Sequence, residues 1–294
     1  MIGQRPRPSG PSDLTQHGAL DGETFEYIRR LLHEETGICL SEKKRAFVAG
    51  RLARRLRGLG IKSFADYCQK VRSDGEGERR QLFEALCTHE TRFFREPRHF
   101  EYLSSTLIPH WQKAAQNGQK PRRVRIWSAG CATGEEAYSL AMTLQRGLPD
   151  GAEILATDLS TRALATAQDA VYSLARVGEI PEPYLKAFMT RGRGRWEGQM
   201  RVGPELRAMV RFETLNLHRT PYRLGQRFDA IFCRNVLIYF DAATRARVAR
   251  ALLAELSAEG LLFVGHAEGL MTLPVAARSV VPSVYAKARE ERAT

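Results

Sequence analysis

From Val124 onward the sequence alternates short apolar runs with amphipathic segments, and this alternation limits the possible folds more than any other feature. Four runs, "VRIWSAG", "AEILATD", "FDAIFCRN" and "GLLFVGHA", have the length and composition of buried strands. Three segments, "EEAYSLAMTLQRGL", "STRALATAQDAVY" and "DAATRARVARALLAEL", have the character of helices. Strands that alternate with helices predict a doubly wound parallel sheet, whose ligand lies beyond the carboxyl ends of the strands.

The turn between the first predicted strand and its helix contains two glycines, Gly130 and Gly134, followed by two acids, Glu135 and Glu136. A helix N-terminus usually attracts phosphate, which two carboxylates repel. The glycines fit neither the dinucleotide-binding pattern nor the P-loop. We therefore expect a ligand that is not held by phosphate. Successive helical residues point about 100° apart, and we expect Glu135 to face the ligand. The alternative is that both acids only complement the helix dipole.

Asp158 ends the second predicted strand. An acid at this place can accept hydrogen bonds from both ribose hydroxyls of an adenosine-containing ligand, although such a residue also serves as a helix N-cap. S-adenosylmethionine fits the combined features, because it has a ribose and an adenine but no phosphate. Its sulfonium and ammonium groups are cations that suit a nearby carboxylate.

The length and composition of the chain limit its number of domains, its cellular location and the chemistry of its cysteines. A chain of 294 residues with 43% hydrophobic residues is long enough for two domains. It has no apolar run of about 18 residues and no signal-peptide pattern near Met1, so we expect a cytoplasmic protein without a membrane span. The five cysteines are odd in number and lack C-x-x-C spacing, which predicts free thiols, no disulfide framework and no metal site.

The formal net charge of +12 predicts an acidic partner. Between Lys43 and Ala65 there are eight basic residues and no acid. In this run Arg51, Arg54 and Arg55 lie on or beside one face of a predicted helix, and we interpret them as a docking surface for a negatively charged substrate. A merely solvated helix face is the alternative. Charge alone leaves nucleic acid, an acidic protein surface and anionic lipid open.

The pattern predicts the following domain organisation. A disordered leader covers residues 1–20, a helical N-terminal domain covers 21–110, and a polar linker covers 111–123. An α/β domain covers 124–294. Within it, "RWEGQMRV" and "VRFETL" predict a small antiparallel β insertion at about 184–212.

Several motifs together resemble the chemotaxis receptor methyltransferases of the CheR family. They are "CTHETRFFREPRHF", "WSAGCATGEEAYSLA", "ATDLS", "FMTRGRGRWEGQMRV", "FDAIFCRNVLIYFD" and "GLLFVGHAE". The resemblance covers nearly the whole chain after the leader. It implies a helical domain followed by a class I S-adenosylmethionine-dependent methyltransferase domain with an inserted β-subdomain. It also implies methyl transfer to glutamate side chains on the cytoplasmic helical bundle of chemoreceptors.

The resemblance further implies which residues form the site. By this resemblance, Arg95 and Tyr239 are expected to lie near the transferred methyl group. The family commonly has Asn at the position of His89, which either donates one hydrogen bond in its place or is a partly buried linker residue. The residues expected to line the cofactor are His89, Thr91, Arg95, Gly130, Glu135, Asp158, Asn216, Leu217, Cys233 and Arg234.

Three other functions compete with this one. A nucleic-acid methyltransferase suits the basic charge, but amino-methylating enzymes of that class usually have a [DNS]-P-P-[YFW] motif where this chain has "RNVLIYF". A catalytically silent receptor-binding adaptor is a second alternative, opposed by the retained cofactor-side residues. A nicotinamide oxidoreductase is excluded by the glycine pattern.

Overall fold

The computed structural model describes residues 18–117, 123–148 and 151–288. The chain divides into two compact units, Met1–Thr88 and His89–Thr294. Most of the predicted leader, residues 1–17, lies outside the described residues, whereas Leu20 is already buried in the core of the first unit. No helix among the described residues is long and apolar enough to cross a membrane.

The first unit is helical, as predicted. Asp21 caps the first helix by accepting a hydrogen bond from the Thr24 N–H at 2.8 Å, and Gly37 ends it in the left-handed conformation. The apolar faces of the helices pack into one core that includes Phe25, Leu52 and Leu82. The helices are α1 (Gly22–Thr36), α2 (Arg45–Leu59), α3 (Phe64–Ser73) and α4 (Glu76–Leu86), with a 3₁₀ turn at Glu42–Lys44.

The second unit begins with a helical segment and continues as alternating strands and helices. Its helices are α5 (Pro97–Tyr102), α6 (Ile108–Gln116), α7 (Glu135–Gly147), α8 (Thr161–Asp169), α9 (Glu182–Phe188), α10 (Pro204–Met209) and α11 (Ala242–Glu255). Its strands are β1 (Val124–Ala129), β2 (Ala152–Asp158), β3 (Val171–Ser173), β4 (Met189–Arg191), β5 (Gln199–Val202), β6 (Val210–Thr214), β7 (Phe228–Cys233), β8 (Leu256–Val264), β9 (Ala277–Val281) and β10 (Val284–Lys287).

The main sheet has seven strands in the order β6-β2-β1-β7-β8-β10-β9. The strands β6, β2, β1, β7 and β8 run parallel, while β10 is antiparallel to both β8 and β9. The predicted doubly wound sheet is therefore confirmed. At its centre Trp127 is fully buried and donates a hydrogen bond to the Thr157 hydroxyl at 2.9 Å. The rings of Phe232 and Phe263 stack at 4.2 Å between centroids.

A second, antiparallel sheet of three short strands has the order β3-β5-β4. The small insertion is thus present, but its bounds differ from the prediction. It begins at Val171, because Ala170 adopts a left-handed conformation (φ 55°) and ends α8 at Asp169, earlier than predicted. The segment "VRFETL" is not part of the insertion, since β6 pairs in parallel with β2. A half-buried edge strand of either sheet has the same alternating pattern.

The predicted linker at 111–123 also needs correction. Residues 111–116 belong to α6, and the division between the units falls at 88/89. The polar sequence hides an apolar contact face, since Ile108 is buried in the core of the second unit and Trp111 packs against it. Gln112 donates a hydrogen bond to the Gly147 carbonyl at 2.8 Å, which joins α6 to the end of α7.

Candidate active site

The turn between β1 and α7 needs glycine at two positions. Gly130 has φ +83°, and a Cβ there lies 2.5 Å from Val236 Cγ2. Gly134 has φ +94°, and a Cβ there lies 2.7 Å from the Cβ of Ala167. Both the conformation and the space exclude a larger residue. The turn is therefore packed closely against α8 and against the loop that follows β7.

Asp158 holds this turn from the end of β2. Its Oδ2 accepts a hydrogen bond from the Ala132 N–H at 2.8 Å, and its Oδ1 accepts one from the Ser160 N–H at 2.9 Å. His89 Nε2 lies 3.9 Å from Oδ1, so the structure brings these two predicted site residues together. Each carboxylate oxygen can accept a further hydrogen bond, and Asp158 stays a prediction for the ribose contact.

The two acids at the start of α7 each face an arginine. Glu135, whose side chain is 1% exposed, contacts Arg176 through Oε1 and accepts a hydrogen bond from the Thr133 hydroxyl at 2.6 Å. Glu136 accepts hydrogen bonds from the Ser128 hydroxyl at 2.7 Å and from Arg234 at 3.1 Å. Burial raises the pKa of Glu136, and the Arg234 charge opposes that rise. Sequence periodicity does not reveal these partners.

The segment from His89 to Glu96 is held at the same edge of the sheet by hydrogen bonds to its backbone. The Phe93 N–H donates to Glu179 at 3.0 Å, and the Phe94 N–H donates to the Ser139 hydroxyl of α7 at 2.9 Å. Arg176 donates to the Thr91 carbonyl, and Arg234 donates to the Arg95 carbonyl. Arg176 thus links Thr91 to Glu135, and the segment is fixed beside the start of α7.

The Arg234 side chain is 1% exposed and forms a buried ion-pair network, and its contact with the cofactor stays a prediction. Its guanidinium lies 3.3 Å from Glu96 and 3.1 Å from Glu136. Burial is the largest influence on Glu96 and tends to raise its pKa, but the charge of Arg234 together with His266 and the hydrogen bond from Asn235 lowers that pKa. Glu96 itself is left-handed (φ 57°), a conformation that costs about 1–3 kcal/mol and persists only where the surrounding structure holds it.

Glu96 also comes close to two histidines, His99 and His266, and their ligand-type atoms lie within 4.8 Å of one another. Burial lowers the pKa of His99 to about 4. The Arg234 guanidinium already lies against Glu96 and supplies a positive charge there. The group is therefore better described as part of the ion-pair network than as a metal centre.

Arg95 and Tyr239 lie on two loops that meet at the end of β7. Arg95 is half-buried and donates from Nη1 to the Glu90 carbonyl at 3.0 Å. Tyr239 is half-buried in a 3₁₀ turn, Leu237–Tyr239, and its N–H donates to the Val236 carbonyl. The contact between Arg234 and the Arg95 carbonyl joins the two loops.

The remaining predicted cofactor residues follow β6 and end β7. The Leu215 N–H donates to the Asp158 carbonyl at 3.0 Å, which places Asn216 beside the end of β2. Leu217 is buried, and its carbonyl accepts a hydrogen bond from the Tyr222 hydroxyl at 2.8 Å. Cys233 is fully buried, and burial raises the pKa of its thiol well above the usual value.

The predicted docking residues lie on α2 in the first unit. Arg51 and Arg54 are exposed, and the Arg51 guanidinium stacks over Phe47 at 5.0 Å from the ring centroid. Arg55 differs from them, because it donates two hydrogen bonds to the buried Glu78, at 2.9 and 2.7 Å. The structure therefore gives Arg55 a partner within its own unit, which helical periodicity does not predict.

The polar groups at the carboxyl edge of the main sheet suit a phosphate-free adenosyl ligand. Glu135 and Glu136 occupy the start of α7, where a phosphate would otherwise bind, and Asp158 stands at the end of the neighbouring strand. Comparison with known proteins agrees with this assignment. Residues 89–284 match the S-adenosylmethionine-binding domain of the CheR methyltransferases, and residues 23–87 match their all-alpha domain.

The chain belongs to the CheR methyltransferase family. It is 42% identical over 270 residues to chemotaxis protein methyltransferase 2 of Pseudomonas aeruginosa, covering 90% of this chain and 93% of that one. It is 37% identical over 274 residues to the chemotaxis protein methyltransferase of Salmonella typhimurium, covering 90% and 92%. The second unit is accordingly an S-adenosylmethionine-dependent methyltransferase domain with a class I fold.

Proposed function

We propose that this protein transfers the methyl group of S-adenosylmethionine to glutamate side chains of chemoreceptors and forms glutamate methyl esters. The modified sites would lie on the cytoplasmic helical bundle of the receptor, and the modification would serve receptor adaptation. Family membership supports the transfer, and the names of the relatives support the chemotaxis setting. The observation that carries the proposal is the set of polar groups at the carboxyl ends of the parallel strands. Glu135 and Glu136 begin α7, and Asp158 ends β2. Arg95 and Tyr239 lie half-buried on two loops that meet at the end of β7.

In this proposal Asp158 holds the ribose, and Glu135 contributes to the charge environment of the methionyl ammonium group. Thr91, Asn216, Leu217 and the backbone at Gly130 and Cys233 line the rest of the pocket. His89 would contact the cofactor from its place beside Asp158, 3.9 Å from the carboxylate. The bound cofactor supplies an electrophilic methyl group on its sulfonium.

The acceptor needs little acid–base help from the protein. An ordinary glutamate has a pKa of about 4.3, so its carboxylate is already a nucleophile at neutral pH. The site must instead position the carboxylate against the methyl group, and such positioning can lower the activation free energy by on the order of 7–11 kcal/mol. Arg95 can bind the carboxylate at two points, and Tyr239 can donate one hydrogen bond. A strong ion pair with Arg95 would stabilise the ground state, so Tyr239 is the more productive contact and Arg95 also suits the methionyl carboxylate.

Docking of the receptor is assigned to the basic face of α2. Arg51 and Arg54 are exposed there, in a run of the sequence that contains no acid. Long-range attraction between this face and an acidic helical bundle would raise the rate of association and would weaken with added salt. The Arg55 guanidinium is paired with Glu78 and therefore adds less charge to this surface than Arg51 and Arg54 do.

Transfer of labelled methyl groups tests the proposal. The protein is incubated with methyl-labelled S-adenosylmethionine and, separately, with receptor cytoplasmic fragments, tRNA and duplex DNA. We expect label on the receptor alone. Label on nucleic acid alone would favour the nucleic-acid methyltransferase, and receptor binding without label would favour the silent adaptor.

A matched pair of variants tests the site within the same assay. Arg95→Ala should lower the rate of transfer strongly, whereas Arg92→Ala, an exposed arginine in the same segment, should leave it near the wild-type rate. Equal rates for the two variants would remove Arg95 from the site.

A further inference from the structure

Glu268 is a fully buried acid that accepts hydrogen bonds from three backbone N–H groups. Its side chain belongs to the loop after β8 and is 0% exposed. Oε2 accepts from Asn235 and from Gly265, each at 2.6 Å, and Oε1 accepts from Ile238 at 3.1 Å. Two of these donors lie in the loop after β7 and the third lies in its own loop. The carboxylate therefore ties the two loops together.

The Glu268 carboxylate is closely packed by its neighbours. A Cβ at Gly265 would lie 2.6 Å from Glu268 Oε2 and 3.0 Å from the Asn235 nitrogen. Asn235 is itself left-handed, with φ 60°, a conformation that its surroundings must hold. The N–H that Oε1 accepts belongs to Ile238, the residue immediately before Tyr239. Glu268 thus fixes the backbone on which Tyr239 is carried.

We propose that Glu268 is a positioning residue for methyl transfer, which sets the location of the Tyr239 hydroxyl by holding the backbone from Asn235 to Ile238. This inference rests on the proposed function, because it assigns Tyr239 to the acceptor carboxylate. Glu268 itself is buried beneath the loop and acts through Tyr239 rather than on the substrate.

The chemistry of the three contacts singles out one informative substitution. In Glu268→Gln the amide oxygen can take the place of Oε2 and keep the hydrogen bonds from Asn235 and Gly265. The amide NH₂ group then takes the place of Oε1 and faces the Ile238 N–H, and two donors cannot form a hydrogen bond. The substitution therefore disturbs the contact next to Tyr239 and preserves the rest.

Steady-state kinetics provide the first test. A small displacement of a reacting group can cost about 100-fold in rate, and we expect Glu268→Gln to lower kcat by about tenfold or more. The KM for receptor and the Kd for S-adenosylhomocysteine should change much less. The control is Glu255→Gln, a carboxylate that is 9% exposed and lies just before the amino-terminal end of β8, away from the site, and this variant should keep the wild-type kcat.

A double variant tests whether Glu268 acts through Tyr239. If it does, Glu268→Gln combined with Tyr239→Phe should lose no more activity than Tyr239→Phe alone, because both changes remove the same contribution. Losses that multiply would overturn the proposal. A wild-type kcat in Glu268→Gln or in Tyr239→Phe would overturn it as well.

Hydrogen exchange separates failure of this inference from failure of the proposed function. Glu268→Gln should accelerate amide exchange in the peptide that covers residues 235–240, and Gly265→Ala should do the same by displacing the carboxylate. This readout requires no receptor. Absence of label on the receptor with the wild-type protein would refute the proposed function, whereas unchanged exchange at 235–240 in Glu268→Gln would refute the positioning role.

Discussion

Replacement of Arg55 by alanine should destabilise the helical unit, although Arg55 belongs to a helix face that otherwise presents exposed arginines. Its guanidinium donates two hydrogen bonds to Glu78, whose side chain is 3% exposed. Burial is the largest influence on Glu78 and would raise its pKa, but the hydrogen bonds from Arg55 and Tyr67 together with the charge of Arg55 lower that pKa. The loss of Arg55 leaves this carboxylate buried without its cation.

The size of the effect follows from the burial of the two partners. Removal of one member of a buried ion pair costs about 3–5 kcal/mol. The Arg55 side chain is 32% exposed, so water will partly compensate, and we expect the low end, about 3 kcal/mol. Arg51→Ala, which removes an exposed cation above Phe47, should cost less than about 1 kcal/mol.

The assay must report on the first unit alone. All three tryptophans, Trp111, Trp127 and Trp196, lie in the second unit, so tryptophan fluorescence is unsuitable. Hydrogen exchange of peptides from α2 and α4 in the full chain, measured against urea concentration, reports the free energy of unfolding there. Joint replacement by Arg55→Met and Glu78→Leu should recover most of the loss. A loss below about 1 kcal/mol for Arg55→Ala would refute the reasoning.

The ion pair between Arg55 and Glu78 also determines which residues can be changed to test the docking surface. Reversal of Arg51 and Arg54 to glutamate should raise the KM for receptor and reduce the salt dependence of methylation, without a change in unfolding of α2. Reversal of Arg55 in addition would mix a stability defect with a docking defect. Normal methylation in the Arg51→Glu, Arg54→Glu variant would identify this face as merely solvated.

Two further predictions concern the second unit. The Asp158→Asn variant keeps the size of the side chain, which also holds the β1–α7 turn. It should weaken binding of S-adenosylhomocysteine by about 10- to 150-fold, since hydrogen bonds to a charged acceptor are worth roughly 1.5–3 kcal/mol. An unchanged Kd in calorimetry would remove Asp158 from the ribose site. Burial lowers the pKa of His99 from 6.5 to about 4. The unfolded chain therefore binds a proton that the folded chain does not, and the free energy of unfolding should fall by up to roughly 3 kcal/mol as the pH drops from 6.5 to 4. His99→Phe should flatten this dependence in urea unfolding, and a pH dependence equal to that of the wild type would contradict the assignment.

Much of the fold could be predicted because each element has a local signal. The length and composition of the apolar runs predict β1, β2, β7 and β8 as strands, and Gly37 marks the end of α1. The prediction fails where two structures share one pattern, as with "VRFETL", whose alternation fits an antiparallel insertion and a parallel edge strand equally well. It also fails at α6, where a polar composition hides an apolar contact face.

The site was less predictable, because its residues acquire their partners through the tertiary fold. The positions of Gly130 and Asp158 at strand ends, and of Glu135 at the start of a helix, follow from the sequence. The ion pairs of Arg234 with Glu96 and Glu136 join residues that are distant along the chain, and no spacing rule encodes them. Arg176 lies in a segment without a motif, and Glu268 belongs to the quoted "GLLFVGHAE" motif without any sign there of its three backbone contacts.

The chemical nature of the product tests the central claim most directly. If a glutamate carboxylate is the acceptor, the methyl group is held as an ester, which mild alkali hydrolyses to methanol. Receptor fragments incubated with the protein and methyl-labelled S-adenosylmethionine should release volatile label at high pH, and mass spectrometry should place the methyl groups on glutamate side chains of helical segments. Alkali-stable label on receptor lysines, or on RNA or DNA with none on the receptor, would contradict the account.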